Sequence, residues 1–338
     1  MKLRKQLHIS GLNMLTECGY RFYFRYILGH KRPPSAFLLV GTATDESVAQ
    51  NLTHKIETEE LLPRAEAVGI AEATFDAEKA KEAIELDEEE KREGLSLETV
   101  LGQARDKAVN LAGLHWQEAA PLLRPKLVRR RFSLDMDAFL RARAKSLHQQ
   151  ADTALDGPSA KLLHNQASKL NAAAREGMDL AGEIDIQEAF DGAGEHRGIV
   201  VRDTKTSGKS PTKSLMDGSE APGIADDSDQ LTTYALACKV LDNQLPGYLA
   251  LDYLIQTPKR RDLKYIVTKT TRTMEDVEVL LNRFANAVQV IRSGMFVPAN
   301  ASWWGCSQQW CGFWNECPMA KRPKMIQITK GVSDDRAQ

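Results

Sequence analysis

Residues 181–206, AGEIDIQEAFDGAGEHRGIVVRDTKT, limit the possible folds more than any other stretch. Both flanks alternate apolar with polar residues and are rich in β-branched side chains, while DGAGEHRG between them holds three glycines and an Asp-Gly pair. That pattern specifies a β-hairpin. Side chains two apart on a strand project to one face, so Asp203 and Lys205 stand side by side, and strand pairing brings Asp185 toward them. Two carboxylates and one ammonium then converge.

Paired carboxylates are hard oxygen ligands suited to Mg²⁺ or Mn²⁺, which acidify water and neutralise charge on a phosphate. A neighbouring Lys orients that water or stabilises the transition state. The plainer reading is a surface hairpin whose Asp and Lys are solvated or paired, the ordinary fate of an isolated Asp-x-Lys. Here the pattern is longer. Gly182-Glu183-Ile184-Asp185 precedes Asp203-Thr204-Lys205-Thr206, and a helical stretch follows with Gln230 and Tyr234 four residues apart on one face.

These three motifs, G-x-I-D, D-x-K-T and Q-x-x-x-Y, resemble those of the PD-(D/E)XK nucleases, in particular the RecB-type branch with the iron–sulfur nucleases of CRISPR adaptation and phage recombination. The resemblance is weak or absent over 50–125 and 137–177. It implies a restriction-endonuclease-like α/β core, a mixed sheet of about five strands flanked by helices. It also implies that Asp185 and Asp203 hold Mg²⁺ or Mn²⁺ with the Thr204 carbonyl, that Lys205 positions the attacking water, and that Gln230 and Tyr234 contact the nucleic acid. Relatives carry G-x-x-x-H at the start of an early helix. Counted from Gly41, the His position is Asp45, which can also ligate these ions or can serve a helix N-terminus. Many relatives place a Glu in the strand KLVRRRFSLDM; Arg130 stands about there. One or two of Arg129, Arg130 and Arg131 touch phosphate, or the three form a solvated strand face.

Five cysteines in a chain expected to be cytosolic are poor disulfide candidates. Cys238 lies in an apolar helical pattern and reads as a small core residue. Cys306, Cys311 and Cys317 are flanked by Trp303, Trp304, Trp310, Phe313 and Trp314, which could wall off water, and such thiolates bind Zn²⁺ or an iron–sulfur centre. They need a fourth ligand. Cys18, far upstream and followed by aromatics, matches the first ligand of the structural 4Fe-4S cluster in RecB-type nucleases, with Zn²⁺ the alternative.

Among 338 residues, Lys plus Arg 45 against Asp plus Glu 46 leaves a net charge of −1, so any DNA contact uses a local basic groove. Lys209 and Lys213, in a loop rich in Gly, Pro and Ser, are candidate phosphate contacts. No apolar run approaches a membrane span, and MKLRKQLHIS lacks a signal-peptide core, so a cytoplasmic protein without membrane contact is expected. The expected organisation is an N-terminal helical segment over 1–50 with Ser10 as its N-cap, a helical region over 51–125, and a nuclease core over 126–295. A helical hairpin over 137–177 is inserted in that core, a cysteine-rich segment over 296–325 packs on the N-terminus, and 326–338 is a tail. The function expected is that of a metal-dependent deoxyribonuclease, an exonuclease acting on DNA that is single-stranded or has accessible ends, in recombination, repair or processing. Its protein contact would be a second copy or a recombination partner. The alternatives are a catalytically silent DNA-binding or assembly subunit and a zinc-stapled scaffold.

Overall fold

The computed structural model describes residues 5–191, 197–211, 225–257 and 262–320. The hairpin forms as β3 (Met178–Asp191) and β4 (Arg197–Ser207), antiparallel from Asp191↔Arg197 to Ile186↔Arg202. β5 (Tyr248–Gln256) lies parallel beside β4, and β6 (Leu263–Thr270) antiparallel beside β5. β5 is a nearly continuous apolar run because both its faces are covered. On its other edge β3 pairs with β2 (Pro125–Asp135), from Pro125↔Glu188 to Asp135↔Asp179. A short β1 (Lys5–His8) runs parallel to the start of β3, from Lys5↔Met178 to His8↔Ala181. The mixed sheet therefore has six strands, one more than expected, and the addition is β1.

Since β2 occupies one edge of β3, β1 and β4 must share the other. β1 pairs no further than Ala181 and β4 joins only at Ile186, so, among the described residues, 182–185 have no strand partner on that edge. The sheet parts there.

Along the chain the helices are α1 (Ile9–Glu17), α2 (Gly19–Phe22), α3 (Ala36–Thr58), α4 (Arg64–Lys79), α5 (Glu88–Arg92), α6 (Leu97–Leu114), α7 (Met136–Asp152), α8 (Gly157–Ala174), α9 (Asp229–Leu241) and α10 (Met274–Ser293). α1, α7, α8, α9 and α10 cover one face in a core that includes Val201, Leu249, Leu251 and Tyr234. α3 and α6 lie against the other face, where Leu254 and Ile186 are buried. α10 shows why: Val277, Leu280, Leu281, Phe284 and Val288 recur at helical spacing and are buried. A Thr273/Asp276 capping box opens it, and Gly294, at φ 69°, closes it. The inserted hairpin forms as α7 and α8, capped by Asp135 and Asp156. Cys238 is fully buried in α9, as its apolar setting suggests.

The N-terminal segment departs from expectation. β1 leads straight into α1, so extended His8 takes the N-cap place and Ser10 falls inside the helix. Cys18, at φ −157° and ψ 107°, breaks the helix before α2, and a π-helical turn over Tyr23–Ile27 follows. Of the aromatics here Phe22 and Phe24 are buried, whereas Tyr26 is exposed. The chain ends meet: the Gly19 amide donates to the Val297 carbonyl at 2.8 Å, and the Ala299 amide to Cys18 Sγ at 3.3 Å. Glu316 receives His30 at 2.6 Å and Arg32 at 2.7 Å. Among the described residues, no helix is long and apolar enough to cross a membrane.

Candidate active site

The β3–β4 ladder ends at Ile186↔Arg202, so Asp185 and Asp203 stand at the point where the two strands separate. The Thr204 amide, which no longer has a β3 carbonyl to reach, donates to Asp185 Oδ2 at 3.1 Å. One carboxylate is thus fixed by the backbone that carries the other. Lys205, on the Asp203 side, places Nζ 2.5 Å from Asp203 Oδ2. α9 supplies the remaining contacts. Gln230 Nε2 donates to Asp203 Oδ1 at 2.8 Å, its Oε1 accepts from Lys205 Nζ at 3.0 Å, and the Tyr234 hydroxyl reaches Asp203 Oδ1 at 3.2 Å.

The electrostatics follow from this crowding. Burial raises the Asp185 pKa well above the carboxylate range, and the charges of Asp203 and Asp45 add to it against the opposing pull of Lys205 and the Thr204 amide. Burial works to lower the Lys205 pKa, but the Asp203 charge and hydrogen bond, with Asp185 behind them, win, and it is raised. Lys205 is therefore an ammonium at neutral pH. Burial, then Asp203 and Asp185, push the Tyr234 phenol well above its ordinary value, so it stays a hydroxyl.

A family model of the PD-(D/E)XK nuclease superfamily matches residues 6–318 of the sequence. The chain belongs to that superfamily. Its members typically use Mg²⁺ or Mn²⁺. A crystal structure of a candidate exonuclease from Eubacterium rectale aligns over 97% of this chain and 94% of that one, at 10% identity and a TM-score of 0.48. No curated protein matches the sequence.

In this PD-(D/E)XK chain the Asp45 position is not at a helix start. It lies well inside α3, which begins at Ala36 under a Ser35 cap, so the helix-dipole reading does not apply. Its carboxylate is held by Arg129 Nη2 at 2.6 Å, while Arg129 Nη1 holds Glu46 at 2.5 Å. Burial raises the Asp45 pKa; Arg129 opposes this, while Asp203 and Glu183 reinforce it, so Asp45 shares the field of the two strand carboxylates. Arg129 reaches α3 from a left-handed backbone, φ 52°, in the middle of β2. Arg130 points elsewhere, to Asp242 at 2.6 Å and Gln187 at 2.8 Å, and Arg131, 87% exposed, pairs with Glu183 at 2.7 Å.

Tyr234 is 2% exposed, so it stands behind Asp203 and does not face solvent, whereas Gln230 is half-buried. Lys209 is exposed two residues past β4, in a turn made with Ser207, and Lys213 lies outside the described residues. Sequence reasoning missed Arg272. Buried, it donates to Thr232, Thr270, and the carbonyls of Thr271, Ala225, Asp226 and Ser228, which clamps the turn before α9 and so the place of Gln230. An Arg directly after a strand ending in threonines is the only trace it leaves in the sequence.

Cys18, Cys306, Cys311 and Cys317 line one small cavity with Phe313 and Trp314. Burial raises the Cys311 thiol pKa, and proximity to Cys18 and Cys317 adds to it. The aromatic wall is incomplete, because Trp304 is 68% and Trp310 53% exposed. Among the described residues, no three His, Cys, Asp or Glu side chains stand close enough to share one metal ion.

Proposed function

We propose that the protein is a divalent-metal-dependent DNA nuclease, an exonuclease acting on DNA that is single-stranded or has accessible ends, in recombination, repair or processing. The observation that carries this reading is the parting of β3 and β4, with Asp185 bound to the Thr204 amide at the gap, next to Asp203, and the Lys205 ammonium against Asp203. The donor set fits Mg²⁺ or Mn²⁺. Asp203 Oδ2 is buried, with the Lys205 ammonium 2.5 Å away as its polar neighbour among the described residues. Such ions need only one or two carboxylates, with water and substrate phosphate completing the shell. Asp185, Asp203 and the Thr204 carbonyl would hold the ion, with Asp45 adding to it once released by Arg129. The ion supplies an acidified water and charge neutralisation for the phosphodiester.

Around that ion the chain's own groups position the reaction. Lys205, held at once by Asp203 and Gln230, presents its ammonium to developing negative charge without reorganising. Tyr234 and Gln230 fix the rotamer of Asp203, and Gln230, the more accessible of the two, guides the strand together with Lys209 and Lys213. Purified protein incubated with end-labelled single- and double-stranded DNA and Mn²⁺, with a chelator control, tests the reading. Lys205→Ala should lower cleavage by about 10²–10³-fold while fold and DNA binding persist. Wild-type protein inert on every substrate would favour the second reading, a silent DNA-binding or assembly subunit, for which the Asp45–Arg129 pair speaks.

The four cysteines at the joined chain ends support a structural 4Fe-4S cluster. A cluster interposes its own irons between thiolates, so its ligands need not converge as they would on a single ion. Zn²⁺ is the alternative, distinguished by the absence of colour and of absorption near about 400 nm.

A further inference from the structure

The inserted α7/α8 hairpin lies outside the nuclease motifs, yet it carries a pair of imidazoles in an arrangement that helix packing alone does not require. His148, one turn before the end of α7, and His164, in the second turn of α8, point their Nδ1 atoms at each other across 2.9 Å. Their ring centroids are 5.2 Å apart. Two nitrogens of this kind can share one proton or one cation. Zinc–nitrogen bonds of about 2.0–2.1 Å at a tetrahedral angle set ligating nitrogens about 3.3 Å apart, a few tenths of an ångström from the spacing here. The far nitrogen of the second ring has a carboxylate in ion-pair range, just beyond hydrogen-bond distance: His164 Nε2 lies 3.8 Å from Asp152 Oδ1. A carboxylate behind a ligating imidazole fixes its tautomer and turns its free nitrogen toward the metal.

We propose that His148 and His164 are the two protein ligands of a site for one borderline divalent cation of the zinc class, which staples α7 to α8, with Asp152 orienting His164. Imidazole pairs suit Zn²⁺, Ni²⁺ or Cu²⁺ and discriminate against the hard ions that carboxylates take. Water completes the shell, in keeping with the lack of any three-residue group among the described residues. The assignment is independent of the nuclease reading.

Full-length protein dialysed against micromolar Zn²⁺ and analysed for metal content tests it. The double variant His148→Gln/His164→Gln should carry one zinc fewer per chain than wild type, since the cysteines and carboxylates are common to both. Asp152→Asn should weaken this zinc by about 10–100-fold. His54→Gln, a change at a half-buried position on α3, should leave the content unchanged. His164 is 46% exposed and His148 half-buried, so the fold should survive; circular dichroism and the thermal midpoint check this. Equal zinc in wild type and the folded double variant, or an equal loss in His54→Gln, overturns the site.

Discussion

Replacing Gly19 by Ala should pry the chain ends apart. An added Cβ would lie 2.6 Å from the Val297 nitrogen, 2.7 Å from its oxygen and 3.2 Å from the Phe296 carbonyl carbon. These are backbone atoms, so no rotamer change relieves the overlap. Restoring ordinary contact needs a retreat of nearly 1 Å, which takes the 2.8 Å Gly19–Val297 hydrogen bond out of range. The lost bond costs about 0.5–1.5 kcal/mol and the overlap about 1–3 kcal/mol, together about 1.5–4.5 kcal/mol. At about 1.4 kcal/mol per tenfold, the population of the opened ends rises roughly 10- to 1,600-fold. The assay is the native-state labelling rate of the buried Cys18 thiol by a disulfide reagent, in cluster-free protein. Gly69→Ala is the control, because its Cβ meets nothing within 4 Å in α4, where Ala is the better helix former. Wild-type labelling in Gly19→Ala would show that residues 295–299 yield freely, and the argument for a tight seam would fail.

Further outcomes follow from the same structure. In Gly182→Ala the new Cβ meets the Phe132 ring at 2.6 Å, and that ring stacks edge-on to Tyr234, so stability should drop by about 1–3 kcal/mol and Phe132→Leu should restore it in urea melts. Burial pushes the His115 pKa down to about 3. The unfolded chain takes up a proton below about pH 6.5 that the native state refuses, so stability is full above that pH and falls toward pH 3, by about 2 kcal/mol at pH 5. His115→Phe should flatten this acid slope, and an unchanged slope in paired denaturation curves would refute the account. Cys311→Ser should abolish visible absorption and bound iron in protein purified without oxygen; full iron retention would remove Cys311 from the proposed cluster.

The central hairpin and α10 were legible because their signals are local: an Asp-Gly turn between alternating flanks, and an apolar stripe at helical period. The shared face of Asp203 and Lys205 came with them, since strand parity sets it. β1 was not legible. KQLH has little strand character of its own and exists through parallel pairing with residues more than a hundred positions away. Once β1 forms, the cap shifts from Ser10 to His8, so that miss follows from the first. Asp45 stands in the field of Asp203, but its ion pair depends on a left-handed Arg129 that no propensity favours. The depth of Tyr234 was not legible, because helix periodicity gives the side of a residue and not how much protein lies over it.

The seam between residues 18–32 and 295–320 also sets a timetable for maturation. Synthesis delivers Cys18, Gly19 and Arg32 first, and the segment that covers them only after residues 33–294 have been made. Until then Phe22 and Phe24 lack the Phe296 and Phe313 rings that stack on them, so apolar surface near the start of the chain stays exposed through most of the core's synthesis.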